Sequence, residues 1–286
     1  MHKIESVGIV GSGTMGLGIA QVCALHGFEV HMTDISPTLV AKGVDTISER
    51  LAREVSRGRM TQDDSEAAAN RVKAEEGIED LANCDLVIEA IVESLESKLS
   101  LFQRLGAICK PEAVLASNTS SLSISQLAGA SGRPASVLGM HFFNPPSALH
   151  LLELTTTPQT DASKTAAVEA FCEALNREVV RVKDTPGFVV NRLLIPFIFD
   201  AVRLADTGVA EPADIDIACK SGLGHSMGPL ATADLIGLDT LVQIGNALFE
   251  DFGEPRFKPP VILGRMVSLG NLGRKSGTGF FQFSGS

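Results

Sequence analysis

The sequence predicts an α/β fold, with a mostly parallel sheet in a first domain and a smaller, all-helical second domain. Two observations support this prediction. Short β-rich runs alternate with helical stretches in the first half, which is typical of parallel strands joined by crossover helices. Beyond Lys183, a turn-rich segment (DTPG, 184–187) leads into sequence that is almost entirely helix-like, with Gly and Pro breaks. We therefore predict domains at residues 1–184 and 185–286.

Several apolar, β-branched runs in the first domain predict buried strands. The predicted strands cover residues 6–10, 28–33, 84–90, 114–117 and 137–141. The predicted helices include residues 14–26, 39–56 and 97–109. A further apolar run, 149–155, follows the fifth strand after a short turn. Because this turn leaves no room for a crossover helix, the two strands are expected to be antiparallel neighbours.

The composition narrows the class of protein. The 286 residues carry a formal net charge of −10, which argues against bulk binding of nucleic acid, since that requires a basic surface. The five cysteines are scattered without metal-ligand spacing and are interpreted as reduced core thiols, so no metal is expected. Because the sequence enters a strand pattern at once and lacks a long apolar run, we expect a soluble, cytoplasmic protein without a signal peptide or a membrane partner.

A glycine-rich turn follows the first predicted strand and opens the first helix. The glycines of this GxGxxG pattern allow a tight turn, close approach of a pyrophosphate and close packing of helix against strand. The positive end of the helix dipole then faces the phosphates. We expect a Rossmann-type dinucleotide site whose members here are Gly11, Gly13, Thr14, Met15 and Gly16.

The choice of dinucleotide depends on Asp34, which ends the second predicted strand 18 residues after Gly16. A carboxylate at this place accepts the ribose hydroxyls of NAD and repels the 2′-phosphate of NADP. No arginine follows it, since the next residues are Ile35, Ser36 and Pro37. The alternative interpretation is a carboxylate that caps the turn before Pro37. We expect NAD as the cofactor.

A candidate general base lies at the end of the fifth strand. His141 is expected at the carboxyl edge of the sheet, where open α/β sheets bind their ligands. Glu153 lies within the apolar run LLELT on the expected antiparallel neighbour, and an isolated carboxylate there needs a partner. Pairing would hold the imidazole in one tautomer and stabilise its protonated form. A purely structural His–Glu pair is the alternative.

Long motifs in one order give the chain a family resemblance. SNTSSLSIS (117–125), GMHFFNP (139–145), LLELT (151–155), DTPGFVVNRLLIPF (184–197), MGPLATADLIGLDT (227–240) and GRKSGTGFF (273–281) follow the glycine motif. In this order they resemble the motifs of the 3-hydroxyacyl-CoA dehydrogenases. The resemblance covers essentially the whole chain. It implies NAD-dependent oxidation of a 3-hydroxyacyl thioester, with a short-chain substrate such as 3-hydroxybutyryl-CoA expected first.

The resemblance also assigns roles to individual residues. It implies that His141 is the catalytic acid/base and that Glu153 orients it. Ser120 and Asn191 would contact the hydroxyl and the acyl carbonyl of the substrate. Four further positions match family residues near the nicotinamide and its ribose: Glu93, Lys98, Asn144 and Lys275. Without the resemblance, Lys98 and Lys275 would be interpreted as solvated surface charges.

The binding site for the thioester carrier is less defined. Arg50, Arg53 and Arg57 share one face of a predicted helix, and a basic stripe of this kind suits the phosphates of coenzyme A. The resemblance points to Arg50 and Arg57, although a small hydroxyl residue is usual in the family where Arg50 stands. A solvated face offset by Glu49 and Glu54 is the alternative. An acyl carrier protein, generally acidic, could use the same arginines.

Two other protein classes are alternatives to this family. The 6-phosphogluconate and 3-hydroxyisobutyrate dehydrogenases combine similar domains but work through an interdomain lysine, and this chain has no lysine between Asp184 and Lys220. A non-catalytic relative of the lens crystallin type is the second alternative. Two apolar stretches in the helical domain, 188–204 and 235–249, favour a homodimer formed through that domain, as the family resemblance also implies. A helix buried within one protomer is the alternative to the dimer.

Overall fold

The computed structural model describes residues 3–283, and the chain divides into two compact units between Thr185 and Pro186. The first unit contains one sheet of eight strands with the order β3-β2-β1-β4-β5-β6-β7-β8. These strands are β1 (Ser6–Val10), β2 (Glu29–Thr33), β3 (Val72–Ala74), β4 (Leu86–Glu89), β5 (Val114–Ser117), β6 (Val137–Phe142), β7 (Leu151–Thr156) and β8 (Glu178–Lys183).

All neighbouring strands are parallel except β6 and β7, so the predicted antiparallel pair is confirmed. Strands β3 and β8 are absent from the sequence-based prediction. Strand β3 has three residues, and β8 is an edge strand with mostly exposed side chains, so neither carries a strong apolar signal. The strand order reverses between β1 and β4, which is where sheets of this type bind dinucleotides.

Helices cover both faces of the sheet. They are α1 (Thr14–Leu25), α2 (Pro37–Ser56), α3 (Gln62–Asn70), α4 (Leu95–Ile108), α5 (Ile124–Ala130) and α6 (Ala162–Ala174). Ile9 and Ile88 pack on the face that includes α1, while their neighbours Val10 and Val87 pack on the face that includes α4. Helix α2 begins two residues earlier than predicted, at Pro37, because proline fits the first turn of a helix.

The second unit is helical, as predicted. Its helices are α7 (Val190–Asp206), α8 (Pro212–Leu223), α9 (Pro229–Ile236), α10 (Leu238–Phe252) and α11 (Val261–Ser268). Phe199, Leu241 and Leu248 are buried in its core. The apolar stretch 235–249 is not one helix, since Gly237 (φ 103°) separates α9 from α10. Within residues 3–283, no helix is both long and apolar enough to cross a membrane.

Candidate active site

The glycine turn between β1 and α1 has the geometry of a phosphate-binding loop. Gly11 has a positive φ of 110°, and a Cβ atom there would overlap the backbone of Ala90 at the end of β4. A Cβ atom at Gly16 would overlap the carbonyl oxygen of Gly11. Both glycines are therefore required by the close approach of β1, α1 and β4.

Open space lies over the middle glycine of the turn. A Cβ atom at Gly13 would meet no heavy atom within 4 Å. Helix α1 begins directly after Gly13, and no side chain caps its first turn, which contains Thr14 and Met15. Uncapped backbone N–H groups beside an open cradle suit the pyrophosphate of a dinucleotide. The residues present therefore fit the expected cofactor.

Asp34 lies beside this turn, directly after β2. Its Oδ2 atom accepts hydrogen bonds from the backbone N–H and the hydroxyl of Ser12, the latter at 2.7 Å. Its Oδ1 atom accepts the N–H of Ile35 at 2.7 Å. The carboxylate is thus held next to the glycine turn, where a ribose hydroxyl can reach it. Sequence reasoning did not single out Ser12, although its place between two glycines of the motif is a usable signal.

His141 and Glu153 form a buried pair. The register of β6 and β7 puts the two residues directly opposite each other. Nδ1 of His141 lies 2.8 Å from Oε2 of Glu153, with 7% and 1% of these residues exposed. Because an ionised carboxylate only accepts hydrogen bonds, Nδ1 is the donor, and Nε2 is the nitrogen that can exchange a proton. The ring of Phe143 contacts the imidazole, with centroids 4.5 Å apart.

The loop after β5 brings Ser120 to the same edge of the sheet. Asn118 accepts the backbone N–H of Phe142 at 2.9 Å, which ties this loop to the residue after His141. The backbone N–H of Ser120 donates to Oε1 of Glu93 at 3.1 Å, and the hydroxyl of Thr119 donates to the same oxygen. Asn118 and Thr119 were missed from the sequence because their partners come from other strands and loops.

Lys98 is not a solvated surface charge, which corrects the interpretation made from its sequence context alone. Only 1% of its side chain is exposed, and its ammonium group lies 2.7 Å from Glu89 and 2.9 Å from Glu93. Both carboxylates pair with the buried ammonium group, so it is not left as an isolated charge. Glu89 is itself fully buried at the end of β4 and was not predicted as a site residue.

Glu93 is held in its ionised form. Burial alone would raise the pKa of its carboxyl, but the charge of Lys98 and the hydrogen bonds from Thr119, Lys98 and Ser120 lower that pKa below its ordinary value. The side chain is 39% exposed, so it remains accessible to a ligand. Glu93 is therefore an available anionic acceptor at the carboxyl edge of the sheet.

The remaining predicted site residues lie in three other places. Asn144 is exposed in the loop after β6. This loop is fixed by the buried Arg177, which donates to the carbonyl oxygens of Pro146 and Leu149, each at 2.8 Å. In the second unit, Asn191 lies in the first turn of α7 and is partly buried. Lys275, about half exposed, donates to Asp239 at 2.7 Å.

The arginines of α2 differ in their partners. Arg53 lies 3.3 Å from Glu49, and Arg57, the residue after the last turn of α2, lies 3.0 Å from Glu54. These pairs match the alternative of a solvated, charge-balanced face. Arg50 is partly buried and has no ion-pair partner among the residues that the structure describes. Its charge therefore remains available to an anionic ligand.

Comparison with known proteins shows the family to which this chain is similar. The model of the NAD-binding domain of 3-hydroxyacyl-CoA dehydrogenase matches residues 6–185, and the model of that family's C-terminal domain matches residues 187–283. A 3-hydroxybutyryl-CoA dehydrogenase of Mycobacterium tuberculosis is 44% identical over 282 residues, which cover 98% of this chain and 99% of the relative. One from Bradyrhizobium diazoefficiens is 42% identical, with 99% and 97% covered.

Solved structures agree with the sequence relatives. The crystal structure of M. tuberculosis FadB2 has a TM-score of 0.96 and 44% identity, covering 99% of this chain and all of the other. The (S)-3-hydroxybutyryl-CoA dehydrogenase PaaH1 of Ralstonia eutropha has a TM-score of 0.95 and 42% identity, with 99% and 100% covered. Family models and relatives thus span both units. The chain belongs to the 3-hydroxyacyl-CoA dehydrogenase family and is an NAD-dependent oxidoreductase.

Proposed function

We propose that the protein is a 3-hydroxybutyryl-CoA dehydrogenase, which oxidises a short-chain 3-hydroxyacyl thioester to the 3-oxoacyl thioester and catalyses the reverse reduction. The observation that carries this proposal is the buried His141–Glu153 pair at the carboxyl edge of the sheet that also bears the dinucleotide turn. The full-length relatives named 3-hydroxybutyryl-CoA dehydrogenase support the choice of acyl group.

His141 acts as the acid/base in this proposal. Nδ1 is engaged by Glu153, so Nε2 removes the proton of the substrate hydroxyl during oxidation and returns it during reduction. NAD, when bound, accepts the hydride from C3 of the substrate. Glu153 holds the imidazole in the required tautomer and stabilises the imidazolium that forms when the proton is transferred. The low exposure of both residues keeps bulk water from competing for this proton.

Ser120 and Asn191 are proposed to contact the substrate hydroxyl and the acyl carbonyl. Ser120 suits this role because its loop is fixed through Asn118 and Glu93 at the edge that holds His141. Asn191 suits it because its amide group, in the first turn of α7, can both donate and accept a hydrogen bond. The proposed contacts of the nicotinamide half of NAD are Glu93, Lys98, Asn144 and Lys275.

The carrier of the acyl group is proposed to be coenzyme A, with Arg50 and Arg57 at its phosphates. Arg50 supports this because it has a positive charge without a partner among the described residues. A guanidinium group binds phosphate through two parallel hydrogen bonds. To bind a phosphate, Arg57 would have to give up its ion pair with Glu54. This ion pair is solvent-exposed and therefore weak.

A panel of thioesters tests the substrate assignment. The measurement is kcat/KM for acetoacetyl-CoA, a medium-chain and a long-chain 3-oxoacyl-CoA, and acetoacetyl-acyl carrier protein, each with NADH and NADPH. We expect the highest value for acetoacetyl-CoA with NADH. Faster turnover of the carrier-protein thioester would assign the same chemistry to carrier-bound groups, and no turnover of any thioester would favour a non-catalytic relative.

We also propose a cytoplasmic homodimer formed through the second unit. Several large apolar side chains of this unit are exposed in the single chain, including Leu193 (70%), Val261 (70%) and Leu269 (77%). Exposed apolar surface of this kind is typical of subunit interfaces. Light scattering at micromolar concentration tests the dimer, with a monomeric mass contradicting it.

Cell fractionation tests the proposed cytoplasmic location, and recovery of the protein outside the cytoplasmic fraction would contradict it.

A further inference from the structure

A buried ionic cluster lies at the carboxyl end of β4, and the proposed proton transfer does not use its deepest member. Glu89 is fully buried and accepts three hydrogen bonds. The donors are the ammonium group of Lys98 at 2.7 Å, the hydroxyl of Ser117 at 2.6 Å and the backbone N–H of Ile91 at 2.8 Å. Lys98 also contacts Glu93, which completes the cluster Glu89–Lys98–Glu93.

The charges of this cluster do not cancel. Two carboxylates and one ammonium group give a formal charge of −1. Burying charge opposes folding, and the exposure of Glu93 relieves this cost only in part. A glutamine at position 89 would fill the same volume and offer an amide oxygen to Lys98 or Ser117. Filling the space at position 89 therefore does not by itself require a second negative charge.

The cluster lies on the side of the cofactor site where the nicotinamide half of NAD is expected. The ribose acceptor Asp34 follows β2, and the phosphate-binding turn follows β1. A dinucleotide crosses the sheet at the β1/β4 reversal, so its second half extends over β4 and β5. Gly11 packs directly against the backbone of Ala90, the residue after Glu89.

We propose that Glu89 sets the redox preference of the cofactor site, because it gives the cluster a net negative charge that stabilises the oxidised nicotinamide relative to the reduced one. The oxidised ring carries one positive charge, whereas the reduced ring is neutral. A negative charge beside it therefore lowers the free energy of bound NAD⁺ and leaves bound NADH almost unchanged. The burial of Glu89 and Lys98 keeps counter-ions away and preserves the interaction at physiological salt.

Cofactor binding in the absence of any acyl thioester tests the proposal. Binding of NADH can be followed by the fluorescence of its reduced ring, and NAD⁺ can be measured by displacement of NADH. The quantity compared is the ratio of Kd for NADH to Kd for NAD⁺. We expect Glu89→Gln to lower this ratio by roughly 3- to 10-fold.

Two further variants make the test decisive. Glu93→Gln removes the same charge from a partly exposed position, so it is expected to fold and to shift the ratio in the same direction. Asp85→Asn is the matched control, since Asp85 also pairs with a lysine, Lys110, but precedes β4 instead of ending it. The ratio should stay within about twofold of wild type in this control.

An unchanged ratio in folded Glu89→Gln and Glu93→Gln would overturn the proposal. Equal weakening of NAD⁺ and NADH binding would overturn it as well, because it would show a purely structural role. If Glu89→Gln does not fold, the result for Glu93→Gln decides. The inference rests on the NAD site and not on the acyl substrate, so failure to turn over 3-hydroxybutyryl-CoA would bear only on the proposed function.

Discussion

The two ends of β4 carry similar ion pairs in different surroundings. Asp85 and Lys110 lie 2.7 Å apart at the amino end, and Glu89 and Lys98 lie 2.7 Å apart at the carboxyl end. Asp85 also accepts the backbone N–H groups of Glu5 and Ser6, so it fastens the start of β1 to β4. Glu89 instead holds groups that border the dinucleotide turn.

The difference follows from the direction of the parallel strands. Their carboxyl ends meet the loops that enter the next helices, so backbone N–H groups and polar side chains converge there. Asp34, Ser120 and His141 lie at or just after the carboxyl ends of β2, β5 and β6. A charge at the carboxyl edge can interact with a bound ligand, whereas the same charge at the amino edge affects the stability of the fold. Substitutions at the two edges should therefore separate activity from stability.

The largest effect is expected at the proposed acid/base. His141→Ala should lower kcat by roughly 10²–10⁴-fold, because the substrate proton loses its acceptor, while Kd for NAD changes little. Steady-state kinetics and NADH fluorescence measure the two quantities. His31→Ala is the matched control, since His31 forms a similar pair with Glu75 at 2.6 Å on β2. Near-normal turnover in His141→Ala would remove His141 from the mechanism.

The next largest effect is expected in cofactor choice. Asp34→Ala should lower the preference for NAD over NADP by roughly 10- to 100-fold, because a charge-assisted hydrogen bond to the ribose and the repulsion of the 2′-phosphate are both lost. The ratio of kcat/KM for the two cofactors measures this change. Asp45→Ala, on the exposed side of α2, serves as the control. An unchanged ratio would indicate that Asp34 caps the turn and does not contact the cofactor.

A smaller effect is expected at the carrier site. Arg50→Ala should lower kcat/KM for acetoacetyl-CoA by roughly 3- to 10-fold through loss of a phosphate contact. Arg57→Ala should act in the same direction. Arg53→Ala, whose guanidinium pairs with Glu49, is the matched control. The effect should vanish with acetoacetyl-pantetheine, which lacks the phosphates of coenzyme A. An equal loss with both thioesters would argue against phosphate binding.

The smallest effect on activity is expected at the amino edge. Asp85→Asn should leave kcat near the wild-type value and lower the free energy of unfolding by roughly 1–3 kcal/mol, since it weakens a set of buried hydrogen bonds. Chemical denaturation measures the change. A loss of turnover larger than about threefold, with stability unchanged, would contradict the view that the amino edge serves stability and the carboxyl edge serves activity.

The contribution of Asp85 should also depend on pH. Burial alone would raise the pKa of its carboxyl, but Lys110 and the N–H groups of Glu5 and Ser6 lower that pKa from its ordinary 3.8 to about 2. The ionised form is therefore favoured in the folded state. Its contribution is present above about pH 4 and is lost as the pH falls through about 2. The stability difference between wild type and Asp85→Asn should shrink over this range, and a difference that grew instead would contradict it.

Much of the fold is encoded in local patterns. The alternation of apolar runs with helical stretches is enough to predict most strands of the sheet, and the short turn before β7 predicts its antiparallel pairing. The His141–Glu153 contact follows from that pairing, because it puts the two residues opposite each other. Strand β3 was missed because its three residues are too few to show a periodic pattern of apolar side chains. Gly237 divides an apolar stretch that otherwise favours one helix.

The buried charges could not be predicted in the same way. Lys98 stands among polar residues at the start of α4, which is typical of a solvated helix end. Its burial depends on Glu89 at the end of β4 and on Glu93 in the following loop, and only the packing of α4 on the sheet brings these groups together. Asn118 likewise acquires its partner, the N–H of Phe142, through the pairing of β5 with β6.

The most direct test of the account is the oxidation of NADH by the wild-type protein in the presence of acetoacetyl-CoA. We expect NADH absorbance to fall with saturable dependence on acetoacetyl-CoA and one NADH consumed for each thioester reduced, with 3-hydroxybutyryl-CoA as the product. Binding of NADH, shown by its fluorescence, without any consumption that depends on acetoacetyl-CoA would contradict the proposed function.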